Sequence, residues 1–257
     1  MKTIFDVLVS DGDRCIAIVG GGGKTTLMFY LAHEFKKRGQ RVISGTTTRI
    51  LYPTLEQSPG VVFSDEEGLY ERVEKYLADE RHVTVAKKCS EAGKKLLGAE
   101  CRELEKIFAR SSAERMVLEA DGARQMPLKA AGENEPLVCG RTDLFIAVVG
   151  LDSIGTSLLN ENVFRAGLVA ERSGTALGDV VTPHTVARLM CHREGLLKGC
   201  PEGVRSCVFF NKSDLSQGRN KARAIVAAAA GLSGRKPDFW VCASLAEKSC
   251  EYGSMSL

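Results

Sequence analysis

The residues best suited to chemistry lie near the start of the chain, in Ile16-Ala17-Ile18-Val19-Gly20-Gly21-Gly22-Gly23-Lys24-Thr25-Thr26. An apolar run of strand character empties into four glycines, a lysine and two threonines. Leu27, Leu31 and Phe35 then recur at helical spacing. Glycines let the backbone turn tightly enough for successive N–H groups to converge on one point. The helix that follows adds unpaired N–H groups and the positive end of its dipole. Lys24 supplies charge for β- and γ-phosphates, and the Thr25 hydroxyl can ligate Mg²⁺. The spacing therefore implies a polyphosphate cradle formed by Gly20, Gly21, Gly22, Gly23, Lys24, Thr25 and Thr26. The strict P-loop pattern opens on a glycine where this chain has Ile18, so the strand is expected to run further and the loop to be tighter. The blander reading is a glycine-rich turn with an exposed lysine; the order strand, glycine loop, Gly-Lys-Thr, helix favours the cradle.

Three further stretches could serve such a cradle. Arg41 to Gly45 reads as a strand that ends in Thr46-Thr47-Thr48-Arg49. Ligands of doubly wound sheets bind at that carboxyl edge, which makes Thr47 and Thr48 candidate contacts for a γ-phosphate or a Mg²⁺-bound water, although threonine is also a good strand former. Arg115 to Leu118 delivers Glu119 and Asp121 to a strand exit, followed by Gly122. A nucleotide site needs such an acid opposite the loop to hold Mg²⁺, and either Glu119 or Asp121 can be that partner. Finally, Cys207 to Phe210 ends in Asn211-Lys212-Ser213-Asp214. A carboxylate at Asp214 accepts hydrogen bonds from guanine N1–H and its 2-amino group, whereas adenine offers neither, so the site would select guanine. Asn211 can bridge to N7 and the loop, the Lys212 stem can cover the base, and the Ala243 and Ser244 backbone N–H groups can reach the base oxygen.

The elements that must position these residues alternate from end to end. Strands are expected at 61–63, 82–86, 143–150 and 239–245, and helices at about 65–78, 100–110 and near 225–230. The fully apolar 143–150 run suits the middle of a parallel sheet. This predicts an α/β, three-layer fold with a mostly parallel, doubly wound sheet and helices on both faces, in one domain over 1–257. The basic segment Lys87 to Lys95 reads mainly as a solvated face. Residues 151–178 are long and polar enough for a substrate or partner region. His184, Cys191, His192, Cys200 and Cys207 lack a recognised metal spacing and read as packing.

The 257 residues are ample for a core, and 44% hydrophobic with 26% charged residues is ordinary for a soluble protein. A net charge of +3 gives no case for nucleic acid or a membrane surface. The nine cysteines are unpaired in sequence and read as reduced, mostly buried thiols of a cytoplasmic protein. The first residues carry no cleavage pattern, and no stretch has the length of a membrane span.

With these stretches in place, the chain resembles the YqeC family of bacterial selenium-dependent (molybdenum) hydroxylase accessory proteins. The resemblance is carried by Val19 to Thr25, Thr46-Thr47-Thr48, Glu119-Ala120-Asp121-Gly122-Ala123-Arg124, Pro127-Leu128-Lys129, Val149-Gly150-Leu151-Asp152 and Asn211-Lys212-Ser213-Asp214. It implies a P-loop nucleotide-binding protein serving maturation of a selenium-containing molybdenum hydroxylase, the client. The chain is also similar to dimeric P-loop proteins that deliver metals and cofactors, which leaves a homodimer open; their signature lysine at the loop's start is Val19 here. The combined expectation is binding of GTP in preference to ATP, with Mg²⁺, and slow hydrolysis in which Lys24, Glu119 and Asp121 carry the chemistry. A small-molecule kinase on the same cradle and a non-hydrolysing nucleotide-gated binding module are the alternatives.

Overall fold

The computed structural model describes residues 2–90, 92–247 and 249–255. Its frame is a nine-stranded sheet built from β1 (Cys15–Gly20), β2 (Val42–Thr46), β4 (Val61–Phe63), β5 (His82–Ala86), β8 (Arg115–Glu119), β10 (Leu144–Gly150), β12 (Arg205–Asn211), β13 (Phe239–Ser244) and β14 (Ser249–Ser254). The order across the sheet is β14-β13-β12-β10-β1-β8-β2-β5-β4. Every neighbouring pair is parallel except β13–β14. Its central strands are almost wholly apolar because both faces are covered.

Alternation along β1 shows how the layers form. Ile16 and Ile18 point to the face covered by α1 (Ile4–Leu8) and α2 (Lys24–Lys37), where Leu8, Leu27, Met28, Leu31 and Phe35 are buried. Ala17 and Val19 point the other way, into the core shared with α5 (Ala166–Ser173), α6 (Pro183–Cys191) and α7 (Gly218–Ala230). On that same face, Met116 and Leu118 of β8 pack with α3 (Leu69–Asp79) and α4 (Cys101–Arg110). This is the three-layer α/β architecture of a P-loop fold, with the glycine-rich strand in the middle and the acid-bearing strand beside it.

Several elements lie outside the sequence expectation. The α3 helix begins at Leu69 because Gly68, in the left-handed region at φ 69°, closes the preceding turn. Three short strands, β3 (Arg49–Leu51), β6 (Lys88–Cys89) and β7 (Lys95–Leu97), form a separate antiparallel sheet in the order β3-β7-β6, so the basic segment is part of a hairpin. Two more, β9 (Leu128–Lys129) and β11 (Val163–Phe164), pair parallel to each other. The cysteine reading needs correction: Cys101 and Cys139 form a disulfide, with Cα atoms 5.0 Å apart, and the other seven are free. The two are 38 residues apart in sequence and meet only because the segment after β9 returns over the start of α4. Five of the free thiols are buried, as expected. Among the described residues, no helix is long and apolar enough to cross a membrane.

Candidate functional site

At the junction of β1 and α2 the strand runs through Gly20 and the helix starts at Lys24, leaving a short turn. Gly20, Gly22 and Gly23 all have positive φ, at 94°, 85° and 124°. Space is as restrictive as conformation there. A Cβ on Gly20 would collide with the Val148 carbonyl, one on Gly22 with the Gly150 backbone, and one on Gly23 with the Asn211 side chain. The turn is thus held against the ends of β10 and β12, which fixes where its N–H groups point.

Lys24 is buried and its Nζ donates to Gly20 O at 2.8 Å. It also lies 3.4 Å from Glu119 Oε1 and 3.4 Å from Asp121 Oδ1. The Thr25 hydroxyl donates to Glu119 Oε2 at 2.6 Å. Asp121 accepts from the Gly20 N–H at 3.1 Å. Lysine, threonine and two acids from strands adjacent in the sheet therefore meet at one point. Burial is the largest influence on Glu119 and raises its pKa above the usual carboxylate value, against the pull of Lys24 and the Thr25 hydroxyl.

The acid pair has a second cation behind it. Lys129 Nζ lies 2.8 Å from Asp121 Oδ2, donates to the Gly122 carbonyl at 2.7 Å, and donates to Glu135 Oε2 at 2.8 Å. Arg165 closes the chain with two hydrogen bonds to Glu135, at 2.6 and 3.0 Å. Burial works to raise the Glu135 pKa, but these two cations override it and hold it at about 2.

On the other side of the loop, Asn211 Nδ2 donates to Gly22 O at 2.8 Å, and its Oδ1 accepts from the Lys212 N–H at 2.8 Å. Lys212, at φ 69°, forms an ion pair with Asp152. Asn211 sits opposite Ala243 in the β12–β13 register, and the Ser213 N–H donates to Ala243 O at 3.1 Å. Asp214 is exposed at the rim, and Ser244 is buried with its hydroxyl accepting from the Glu247 N–H at 3.1 Å.

A model of the family described as YqeC protein matches residues 16–167 of this chain. The uncharacterized protein YqeC of Escherichia coli (strain K12) is 30% identical over 213 residues, 81% of this chain and 80% of that protein. The chain belongs to the YqeC family. Among solved structures it is similar to the 54 kDa signal recognition particle protein of Aeropyrum pernix K1 in complex with GDP, with 17% identity and a TM-score of 0.41, covering 96% of this chain and 46% of that one. It is also similar to FtsY from Mycoplasma mycoides, with 11% identity and a TM-score of 0.36, covering 90% and 61%. The chain thus spans only about half to three-fifths of the length of these two structures.

Within this YqeC family member, the sequence-selected residues separate into groups. Gly20, Gly21, Gly22, Gly23, Lys24, Thr25, Glu119 and Asp121 converge, and Asn211 ties Lys212 to the same loop while Asp214 stays exposed. Thr26 is exposed on the first turn of α2. The Thr47 hydroxyl donates to Leu137 O at 3.0 Å, and Thr48 faces Gly122. Thr46 was not singled out, yet it is fully buried and donates to Glu119 O at 3.0 Å. Lys129 and Asp152 stood in the family-resembling stretches without a role; a buried lysine two residues after a proline carries no spacing that marks its partner. Pro127 is another such residue: its carbonyl accepts from the Gly150 N–H at 2.8 Å, which seats the 123–127 segment against the glycine turn.

Proposed function

We propose that this chain binds a nucleoside triphosphate, GTP in preference to ATP, and hydrolyses it slowly in support of maturation of a selenium-dependent molybdenum hydroxylase. The observation that carries the reading is the meeting of Lys24, Thr25, Glu119 and Asp121 at a glycine-rich strand-to-helix junction. In this reading the N–H groups of residues 22–25 and the dipole of α2 hold the phosphates, the Gly21 N–H being bound to the Val148 carbonyl at 2.8 Å. Lys24 exchanges its carboxylate partners for phosphate oxygens. The Thr25 hydroxyl and Glu119 carboxylate are adjacent hard oxygen donors, the chemistry Mg²⁺ requires, and would hold it with Asp121 nearby. Bound there, Mg²⁺ supplies charge neutralisation on the phosphate oxygens. Gly122, with its carbonyl held by Lys129, would offer its N–H to the γ-phosphate. Asn211 couples the base loop to the phosphate loop, and Asp214 chooses the base. The client comes from the family resemblance alone. The whole of 1–257 acts as one nucleotide-binding domain in this scheme.

Calorimetric titration with Mg·GTP and Mg·ATP tests it. The wild type is expected to bind both, GTP more tightly, and Lys24→Ala to bind neither measurably. Retained affinity in Lys24→Ala would remove the cradle, and tighter binding of ATP would remove the base assignment.

A further inference from the structure

The small antiparallel sheet beside Thr46–Thr48 has two unlike faces. Cross-strand partners share a face, so the register Arg49↔Leu97 and Leu51↔Lys95, with Lys88↔Leu97, gathers Arg49, Leu51, Lys88, Lys95 and Leu97 on one side. The opposite side holds Ile50 and Leu96, both buried in the core on the α2 face of the large sheet. The outward side is exposed at Arg49, Leu51, Lys88 and Lys95. Leu51 is 52% exposed on this side, and Tyr52 and Leu55, in the loop that leaves β3, are 44% and 86% exposed beside it.

Residues 49–55 and 87–97 carry the cations Arg49, Lys87, Lys88, Lys94 and Lys95 against a single acid, Glu91, which lies outside the described residues. Arg49, Lys88, Lys94 and Lys95 are exposed, and among the described residues none of the five cations takes part in an ion pair. Lysines on an edge strand often serve to block pairing with another sheet, and Lys88 on β6 can do that. That purpose does not explain exposed Leu51, Tyr52 and Leu55 at the opposite edge. An apolar and aromatic centre among unpaired cations has instead the anatomy of a protein interface.

We propose that this outward face and the 52–55 loop beside it dock a partner protein through a segment that presents acidic and apolar side chains together on one face. Carboxylates of the segment pair with Arg49, Lys88 and Lys95, while its apolar residues cover Leu51, Tyr52 and Leu55. Two of the three exposed apolar residues are leucines, which offer no ring for a base to stack on, and this favours a protein over nucleic acid. The proposal stands apart from the nucleotide reading, because no residue of the outward face belongs to the cradle.

The test uses the full chain and a short fluorescent peptide of Glu-Glu-Leu-Leu repeats, which presents both residue types on each face of an extended strand, read by anisotropy. Saturable, salt-weakened binding is expected, with affinity falling about ten-fold or more in Lys88→Glu/Lys95→Glu. Leu51→Ser is expected to weaken it as well while the salt dependence persists, which a purely ionic attraction would not show. Unchanged thermal midpoint and unchanged Mg·GTP titration in the variants show that fold and cradle are intact. The proposal fails if the peptide does not bind, or binds the variants as well as the wild type. It fails equally if phosphatidylglycerol vesicles or single-stranded RNA bind this face while the peptide does not, or if sedimentation shows that a second copy of the chain covers it.

Discussion

Glu119, in the proposed site, carries a charge that burial makes costly to the fold. Its carboxylate is buried, and burial disfavours the charged form that a metal or a phosphate-bound lysine would require. Its pKa is raised above 4.5, so the folded chain keeps the proton to higher pH than the unfolded chain does. The associated stability is complete below 4.5 and is lost as pH rises through the raised value. Glu119→Gln keeps an acceptor for the Thr25 hydroxyl and removes the desolvated charge, and Lys24 keeps Asp121 and the Gly20 carbonyl as partners. The substitution is therefore expected to raise the thermal midpoint at neutral pH by a few degrees, equivalent to about 1 kcal/mol. It should also cut Mg²⁺-dependent nucleotide affinity at least about ten-fold, since one hard donor is gone. Calorimetric scans and titrations of the same sample decide the matter; a lower midpoint with undiminished affinity would refute both halves.

At the scale of elements, β2 and β5 carry a polar thread through an apolar layer. Ser44 Oγ lies 2.9 Å from His82 Nε2 and 2.8 Å from Thr84 Oγ1, and Thr84 donates to Ser58 Oγ at 2.7 Å. His82 is fully buried and its Nδ1 has no partner. Burial first, then the charges of His33 and Lys36, lower its pKa from 6.5 to about 3. As pH falls below 6.5 the unfolded chain takes up a proton that the folded chain refuses until about 3. This one site is expected to cost about 1.4 kcal/mol of stability per pH unit across that window. Urea midpoints of the wild type and His82→Asn, followed from neutral pH downward, should diverge in slope by that amount, and parallel curves would remove His82 as the cause.

The same scale shows what the sequence made legible. The glycine turn, the acids after β8 and the Asn211 loop are each a strand followed by its own exit residues, so short-range pattern was enough to place them. The β3-β7-β6 sheet was not readable, because its strands are two or three residues long and one of its two pairings, β3–β7, joins segments far apart. Nor was β14, whose role is to close the edge of β13 in the antiparallel sense and whose residues show no apolar run. The Cys101–Cys139 disulfide depends on the path of the chain after β9, which no local spacing encodes.

Across the whole molecule, the candidate site is tied to the far layer by Lys129, whose side chain is 1% exposed. It joins Asp121 and the Gly122 carbonyl at the sheet centre to Glu135, and Glu135 joins Arg165 at the start of α5. A buried charge with three such contacts tolerates no simple deletion. Lys129→Met leaves Asp121 and Glu135 without a shared cation and is expected to destabilise the protein by about 3–5 kcal/mol. Glu135 contributes stability that is lost as pH falls from its unfolded value of 4.5 through about 2, and without Lys129 that loss should be smaller and complete at a higher pH. A double-mutant cycle with Glu135→Gln separates the pair from general disruption, since contacting charges couple whereas unrelated core damage adds. Coupling of at least about 1 kcal/mol in urea unfolding is expected. Simple additivity, or an acid transition unmoved by Lys129→Met, would mean that the loop and the α5 layer are joined by packing alone.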